Sequence, residues 1–360
     1  MFTLTSFGMT AHEQLVARRG RRSGITTMVA IHSTALGPAV GGCRFKPYAT
    51  LDEAVGDVLR LSAAMTAKCA VAGLAFGGGK SVIAPEPGRV LSPEERRDVL
   101  LDHADLIAEF GGAYRAGPDV GTGPADMLVL REASPYAFCT PESAGGTGSS
   151  SGPTAVGVLA ALRAAGPADL TGRRVVISGY GSVGAHLAAS LHAAGADVVV
   201  SDIDPAKRAE AERSGLTWTE PEKALTLTAD VVIPAAVGGV LSPETVARLD
   251  TPLVVGPANN QLTDDAVADA LAARGVRWIP DYVASAGGIL YTLSREAEGL
   301  DHEAALARVE TIEQTVTDLL NAAKASATTP LHEAAALAGR RLTSGAAPRT
   351  PSLREPRTTA

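Results

Sequence analysis

The hydrophobic pattern changes period several times along the 360 residues. Ile25 to Ile31 (ITTMVAI) is rich in β-branched residues and predicts a strand. Gly37-Pro38 and Gly41-Gly42 follow and predict a loop with exposed backbone N–H groups. From Leu51 the apolar positions Leu51, Val55, Val58, Leu59 and Met65 recur at helical spacing, and Thr50 with Glu53 forms a capping box at the start. Ser92-Pro93-Glu94-Glu95 opens a second helix, which stops at Gly111-Gly112. Residues 115–127 (RAGPDVGTGPADM) read as a loop punctuated by glycine and proline. Residues 143–153 (SAGGTGSSSGP) are all small or turn-forming and predict a hinge between two domains.

Beyond the hinge, Thr154 to Ala165 predicts a short apolar helix, and Arg174 to Ser178 (RVVIS) a buried strand. That strand runs into Gly179-Tyr180-Gly181-Ser182-Val183-Gly184, the G-x-G-x-x-G spacing of a dinucleotide site. With 38 glycines, three at this spacing arise by chance about 0.4 times, so the triplet means little alone. Its setting supplies the specificity: a strand before it, an Ala/Leu helix after it, and Val198–Val200 ending at Asp202. A pyrophosphate would lie on the helix N-terminus against Gly181, and Asp202 would hold the adenosine ribose hydroxyls. An acid there repels a 2′-phosphate and favours NAD over NADP, with Arg208 the nearby cation that bears on the choice.

Short apolar strands at 230–234, 253–256 and 276–279 continue the β/α alternation. Asn259, Asn260 and Gln261 follow one of them at its carboxyl end, and 281–289 predicts another glycine loop. The expected architecture is α/β, with an N-terminal α/β domain over 1–142 and a hinge over 143–153. A Rossmann-type doubly wound NAD-binding domain follows over 154–300. Helices over 301–338 return toward the first domain, and 339–360 form a disordered tail.

Composition narrows the function classes. Hydrophobic residues make up 46% and charged residues 20%, as in a soluble globular protein, and a net charge of −7 argues against a nucleic-acid or anionic-membrane partner. Three cysteines show no metal-ligand spacing, and their odd count suits a reducing cytosol. No apolar run reaches the roughly 18 residues of a membrane span, so a cytoplasmic protein is expected.

The chemistry concentrates in Met65 to Ile83 (MTAKCAVAGLAFGGGKSVI), where Lys68 and Lys80 sit among apolar residues and the second follows three glycines. A cation in such company needs an anion or loses its proton, which suggests a site for a small anionic substrate. Together with GPAVGGCR (37–44), GPDVGT (117–122), GYGSVG (179–184), SDID (201–204), PANNQL (257–262) and PDYVASAGG (280–288), this stretch resembles the Glu/Leu/Phe/Val amino-acid dehydrogenases over roughly residues 12 to 325. It looks most like the shorter leucine, valine and phenylalanine enzymes.

The resemblance implies NAD-linked, reversible oxidative deamination of an L-amino acid to a 2-oxo acid and ammonia, by a homo-oligomer in which 1–142 is the substrate-binding and oligomerisation domain. By that resemblance Lys68 holds the substrate carboxylate with help from Gly41 and Gly42. Lys80 acts as general base toward water, its pKa depressed by a second cation and by burial, and Asp119 shuttles protons with the amino group. Ser151, Thr154 and Asn260 match positions near the nicotinamide, and Val40, Ile289 and Thr292 match pocket walls. Ser285 stands where Asn is usual beside the substrate carboxylate, and Pro118 where Thr or Cys is common. Closure of the two domains would exclude water. A branched-chain aliphatic substrate is favoured over glutamate, because no additional lysine is placed for a side-chain carboxylate. The alternatives are an enzyme retuned for an aromatic or nonstandard amino acid and a catalytically silent nucleotide-binding protein.

Overall fold

The computed structural model describes residues 11–344 and divides the chain into two compact units. The first holds the residues up to Ser149, Arg295–Gly299 and the described residues from Ala338 on; the second holds Ser150–Ser294 and Leu300–Leu337.

The first unit contains β1 (Gln14–Arg19), β2 (Thr26–Ser33), β3 (Ala39–Phe45), α1 (Leu51–Val71), β4 (Gly77–Ala84), α2 (Pro93–Glu109), β5 (Tyr114–Pro118) and α3 (Pro124–Arg131). Its five-stranded sheet runs β1-β2-β4-β3-β5, antiparallel across β1, β2 and β4 and parallel across β4, β3 and β5. Residues alternate between two faces of the sheet. Val29, Ile31, Ala39, Cys43, Ile83, Tyr114 and Ala116 pack on one face with α2 and α3, whereas Met28, Ala30 and Val82 pack on the other with Ala54, Val55, Val58 and Leu59 of α1. Helix α1 begins where its capping residues place it, Thr50 accepting from the Glu53 N–H.

Two segments expected to be loops are strands. Gly41 and Gly42 lie inside β3, opposite Ala116 and Gly117 of β5, and Arg115 to Pro118 belong to β5 itself. Glycine weakens an isolated strand, but a strand flanked on both sides is held by its neighbours, and here the missing side chains permit close packing. A Cβ on Gly41 would lie 1.9 Å from the Gly79 carbonyl oxygen, and one on Gly78 would lie 2.0 Å from the Thr66 nitrogen.

The second unit contains α4 (Ser151–Ala165), β6 (Arg174–Ser178), α5 (Ser182–Ala193), β7 (Asp197–Ser201), α6 (Arg208–Arg213), β8 (Thr217–Trp218), α7 (Pro221–Ala224), β9 (Val231–Pro234), α8 (Pro243–Arg248), β10 (Leu253–Val254), α9 (Ala266–Ala273), β11 (Arg277–Trp278) and α10 (Asp281–Ala284). The chain continues through α11 (Gly287–Glu296), α12 (His302–Glu310), α13 (Ile312–Ser326) and α14 (Pro330–Thr343). Its sheet is parallel in the order β11-β10-β9-β6-β7-β8, so the chain reverses direction of travel between β6 and β9, the topological switch point of a doubly wound fold.

Helix α4 starts at Ser151, inside the segment expected to be hinge, because Pro153 falls in its first turn, where no N–H is needed. The expected loop at 281–289 is largely helical, with Ser285 ending α10 and Ile289 and Thr292 on α11. Helix α14 runs to Thr343, past the point where the tail was expected to begin, and Arg341 Nη1 donates to the Ala70 and Val71 carbonyls at the end of α1. The rest of that tail lies outside the described residues. No helix among the described residues is long and apolar enough to cross a membrane.

Candidate active site

Alternation along the strands of the first sheet decides which side chains meet. Met28 and Ala30 face α1 and are paired with Val82 and Lys80, so Lys80 shares that face. Val40, Gly42 and Arg44 of β3 lie on it too, together with Arg115 and Gly117 of β5. Asp119 follows directly at the carboxyl end of β5.

The Lys80 Nζ lies 3.1 Å from Asp119 Oδ2, with side chains only 7% and 14% exposed. The nearest charge to Lys80 is therefore a carboxylate rather than the second cation expected from the sequence. The space for the pair exists because residue 42 is glycine: a Cβ there would stand 2.7 Å from Asp119 Cβ and 3.0 Å from Lys80 Nζ. Lys68 is buried in the last turn of α1, the helix packed against β4.

Behind the pair runs a chain of charges. Arg44 donates from Nε to Asp119 at 2.7 Å and from Nη1 to Asp57 of α1 at 2.9 Å. Asp57 also accepts from the Tyr48 hydroxyl and from Arg60, both at 2.7 Å. The Asp119 backbone N–H donates to Thr122 Oγ1, and that hydroxyl donates to the Cys43 carbonyl. Burial alone would raise the Asp119 pKa, but Lys80 and Arg44 outweigh it and hold the carboxyl below its ordinary value. Asp57 follows the same balance, burial opposed by Tyr48 and Arg44. Burial pushes the neighbouring Cys43 thiol up to about 12, which leaves it inert as a nucleophile.

The second unit carries a cradle for a dinucleotide. Gly179 follows β6 with φ +118°, and a Cβ there would meet the Ala236 nitrogen at 2.6 Å, so the turn requires glycine. Gly181 is the N-cap of α5 and faces open space, leaving the helix N-terminus and the N–H groups of Ser182, Val183 and Gly184 free to receive a phosphate. Gly184 packs against the Gly179 carbonyl at 2.0 Å from its absent Cβ. These residues fit a pyrophosphate.

Asp202 follows β7 and accepts from the Tyr180 N–H at 2.9 Å, which ties it to the glycine turn. Burial works against its ionisation, but Lys207 at 2.8 Å and the N–H groups of Asp204 and Tyr180 hold its pKa below the ordinary value. Arg208 instead pairs with Glu212, so the cation paired with Asp202 is Lys207.

Asn260 adopts φ +53°, an uncommon conformation for a side-chain-bearing residue, in the turn after β10. Thr154 Oγ1 donates to the Ser150 carbonyl in the first turn of α4, the turn that Ser151 begins, and a Cβ on Gly288 would come within 2.6 Å of that hydroxyl. The Ser285 hydroxyl is buried with no hydrogen-bond partner among the described residues, which suits a position meant to receive one from a ligand.

Arg44, Asp57, Tyr48 and Lys207 were not singled out from sequence. A signal existed for Asp57, an acid one position before the apolar pair Val58-Leu59 in α1, but its partners lie across the fold.

A buried lysine–carboxylate pair in one unit and a dinucleotide cradle in the other define a nicotinamide-dependent oxidoreductase by class. The sequence matches the Glu/Leu/Phe/Val dehydrogenase dimerisation domain over residues 9–135 and the Glutamate/Leucine/Phenylalanine/Valine dehydrogenase domain over 203–347. Residues 160–245 also match the NAD-binding domain of D-isomer specific 2-hydroxyacid dehydrogenases. The chain is 40% identical to the valine dehydrogenase of Streptomyces virginiae, over 95% of this chain and 97% of that protein. It is 35% identical to the phenylalanine dehydrogenase of Caldalkalibacillus thermarum, over 93% and 92%. The crystal structure of L-tryptophan dehydrogenase from Nostoc punctiforme superposes with a TM-score of 0.77 at 31% identity, over 95% of this chain and 99% of that one. The chain belongs to the Glu/Leu/Phe/Val dehydrogenase family of amino-acid dehydrogenases.

Proposed function

We propose that this protein catalyses the reversible, NAD-dependent oxidative deamination of an L-amino acid with an aliphatic side chain, of the branched-chain kind, to a 2-oxo acid and ammonia. The observation that carries the proposal is the Lys80–Asp119 pair, 3.1 Å apart on the α1 face of the first sheet. A lysine and a carboxylate in hydrogen-bond reach can pass a proton between them, which deamination requires twice. Lys68 holds the substrate carboxylate. A bound nicotinamide supplies the hydride acceptor. The ionised Asp119 takes a proton from the substrate ammonium before the hydride leaves Cα, and Lys80 takes the proton from the water that adds to the resulting iminium carbon. Asp119 then returns its proton to the departing amine and accepts the one on the carbinolamine hydroxyl as the 2-oxo group forms. Arg44 fixes the Asp119 carboxylate from behind, so that the oxygen near Lys80 is presented in one orientation.

Asp202 favours NAD, although Lys207 beside it offers a cation that a 2′-phosphate could use. The dimerisation-domain match supports a homo-oligomer.

The test is NADH or NADPH formation with L-Val, L-Leu, L-Ile, L-Phe, L-Trp and L-Glu. Lys80→Ala should lose at least about a hundredfold in kcat while NAD affinity stays within twofold of wild type. Turnover by that variant at the wild-type rate refutes the mechanism.

A further inference from the structure

Asp119 lies on neither a helix nor a strand. It begins the turn 119–122 between β5 and α3, in which Val120 is 58% exposed. Its carboxylate is nevertheless held 3.1 Å from Lys80 Nζ and 2.7 Å from Arg44 Nε. An exposed turn is ordinarily among the loosest parts of a fold, whereas proton transfer needs its groups in close register. Something must hold this turn.

Its hydrogen bonds can be followed residue by residue. The Thr122 N–H donates to the Asp119 carbonyl at 3.0 Å and closes the turn. Gly121, at φ +83°, is the third residue, where a type II turn needs a positive φ. The Asp119 N–H donates to Thr122 Oγ1, and the Phe45 N–H of β3 donates to the Val120 carbonyl at 2.8 Å. No side chain fits at position 121, since a Cβ would stand 1.9 Å from the Phe45 carbonyl oxygen, so the turn cannot anchor itself there by packing.

Arg96 of α2 supplies the anchor. Its Nη2 donates to the Gly121 carbonyl at 2.7 Å. The same guanidinium grips Asp126 of α3 with two parallel bonds, Nε to Oδ1 at 3.0 Å and Nη2 to Oδ2 at 2.9 Å, and lies over the Phe45 ring, 4.7 Å from its centroid. Asp126 in turn accepts from the Gly123 N–H at 2.8 Å, one residue past the turn. The next residue of α2 offers a contrast. Arg97 also joins α2 to α3, by an ion pair with Glu132, but on an exposed surface and at the other end of α3 from the turn.

We infer, on the reading in which Asp119 moves protons for amino-acid deamination, that Arg96 is a positioning residue for that carboxylate. Its bonded nitrogens are taken by protein acceptors, so it acts through the turn rather than on the substrate. With Gly121 and Gly123 fixed from α2, the Asp119 side chain meets Lys80 in one orientation while Arg44 holds the same oxygen from β3.

The experiment pairs Arg96→Met, which keeps the stem over Phe45 and removes the fork, with Arg97→Met, which removes the neighbouring link between the same two helices. On the best amino acid of the panel above, Arg96→Met should lose about tenfold or more in kcat while the amino-acid KM stays within about threefold, as for a displaced reacting group rather than a lost substrate contact. Arg97→Met should stay within about twofold in both. Arg96→Lys, which keeps the charge without the planar fork, should recover part of the kcat. Hydrogen exchange needs no turnover: the Phe45 and Thr122 amides, which bond the turn, should lose about tenfold or more in protection in Arg96→Met and not in Arg97→Met. If wild-type protein turns over no amino acid of the panel, the deamination reading fails, and the exchange result alone decides whether Arg96 holds the turn. Wild-type kcat in Arg96→Met overturns the inference. So do equal losses in Arg96→Met and Arg97→Met, since both arginines would then be struts between α2 and α3. Should Arg96→Met not fold, Arg96→Lys against Arg97→Met decides by the same criteria.

Discussion

Replacing Arg44 by methionine removes the guanidinium that joins Asp119 to Asp57 and keeps most of the volume of the side chain. Both carboxylates are then left with less compensation in a setting where their side chains are only 14% and 11% exposed. Removing one member of a buried pair costs about 3–5 kcal/mol when nothing else compensates. Here Asp119 keeps Lys80, and Asp57 keeps Tyr48 and Arg60, so about 2–3 kcal/mol is expected. The sign with pH follows from the depressed carboxylates. Their contribution is complete above the unfolded value near pH 4 and is lost as pH falls through the lower folded values, so the gap between variant and wild type should close in acid. Urea denaturation at pH 7 and pH 3 measures both. Since Arg44 also holds Asp119 ionised, the acid limb of the kcat/KM profile should move to higher pH in the variant. A stability loss below about 0.5 kcal/mol at pH 7, with an unmoved acid limb, refutes the reasoning.

Three further outcomes are expected. His103 is fully buried between Thr27 and Ser81, and burial pushes its pKa down to about 3. Neutral in the fold and protonated in the unfolded chain, it should erode stability as pH falls from about 6.5 toward 3, by up to about 1.4 kcal/mol per pH unit, a slope that denaturation of His103→Gln should lack. Gly78→Ala should cost more than about 3 kcal/mol or fail to fold, because its Cβ meets the Thr66 backbone, whereas Gly56→Ala, on an open face of α1, should gain about 0.5–1 kcal/mol in thermal melts. Asp202→Ser should raise the NADP-to-NAD ratio of kcat/KM at least about tenfold, because Lys207 loses its partner; an unchanged ratio places the ribose elsewhere.

The nucleotide-binding half was legible because its signals are local: a β-branched run, a tight glycine turn and an apolar helix follow one another within about twenty residues. The catalytic half was legible only as ordered short segments. Nothing local marks Gly41-Gly42 or Gly77-Gly78-Gly79 as strands, since glycine has low strand propensity and these runs are held by neighbours brought in from other parts of the chain. The Arg44–Asp57 and Arg44–Asp119 pairs join residues 13 and 75 positions apart, and no periodicity reports such distances. Arg115 was hidden for the same reason: within 115–127 it looks like an ordinary loop cation, and only the register with Val40 places it on a buried face.

Gly42 has a use for the experimenter. The Lys80–Asp119 pair rests in the volume that a side chain at this position would claim, so a single added methyl should displace together both groups proposed to react. The substitution leaves both charges in the chain and leaves the cradle at Gly181 as it is. Alanine at position 42 would thus act as a switch set to off, an inert form in which cofactor binding and subunit assembly can be followed while no substrate is consumed.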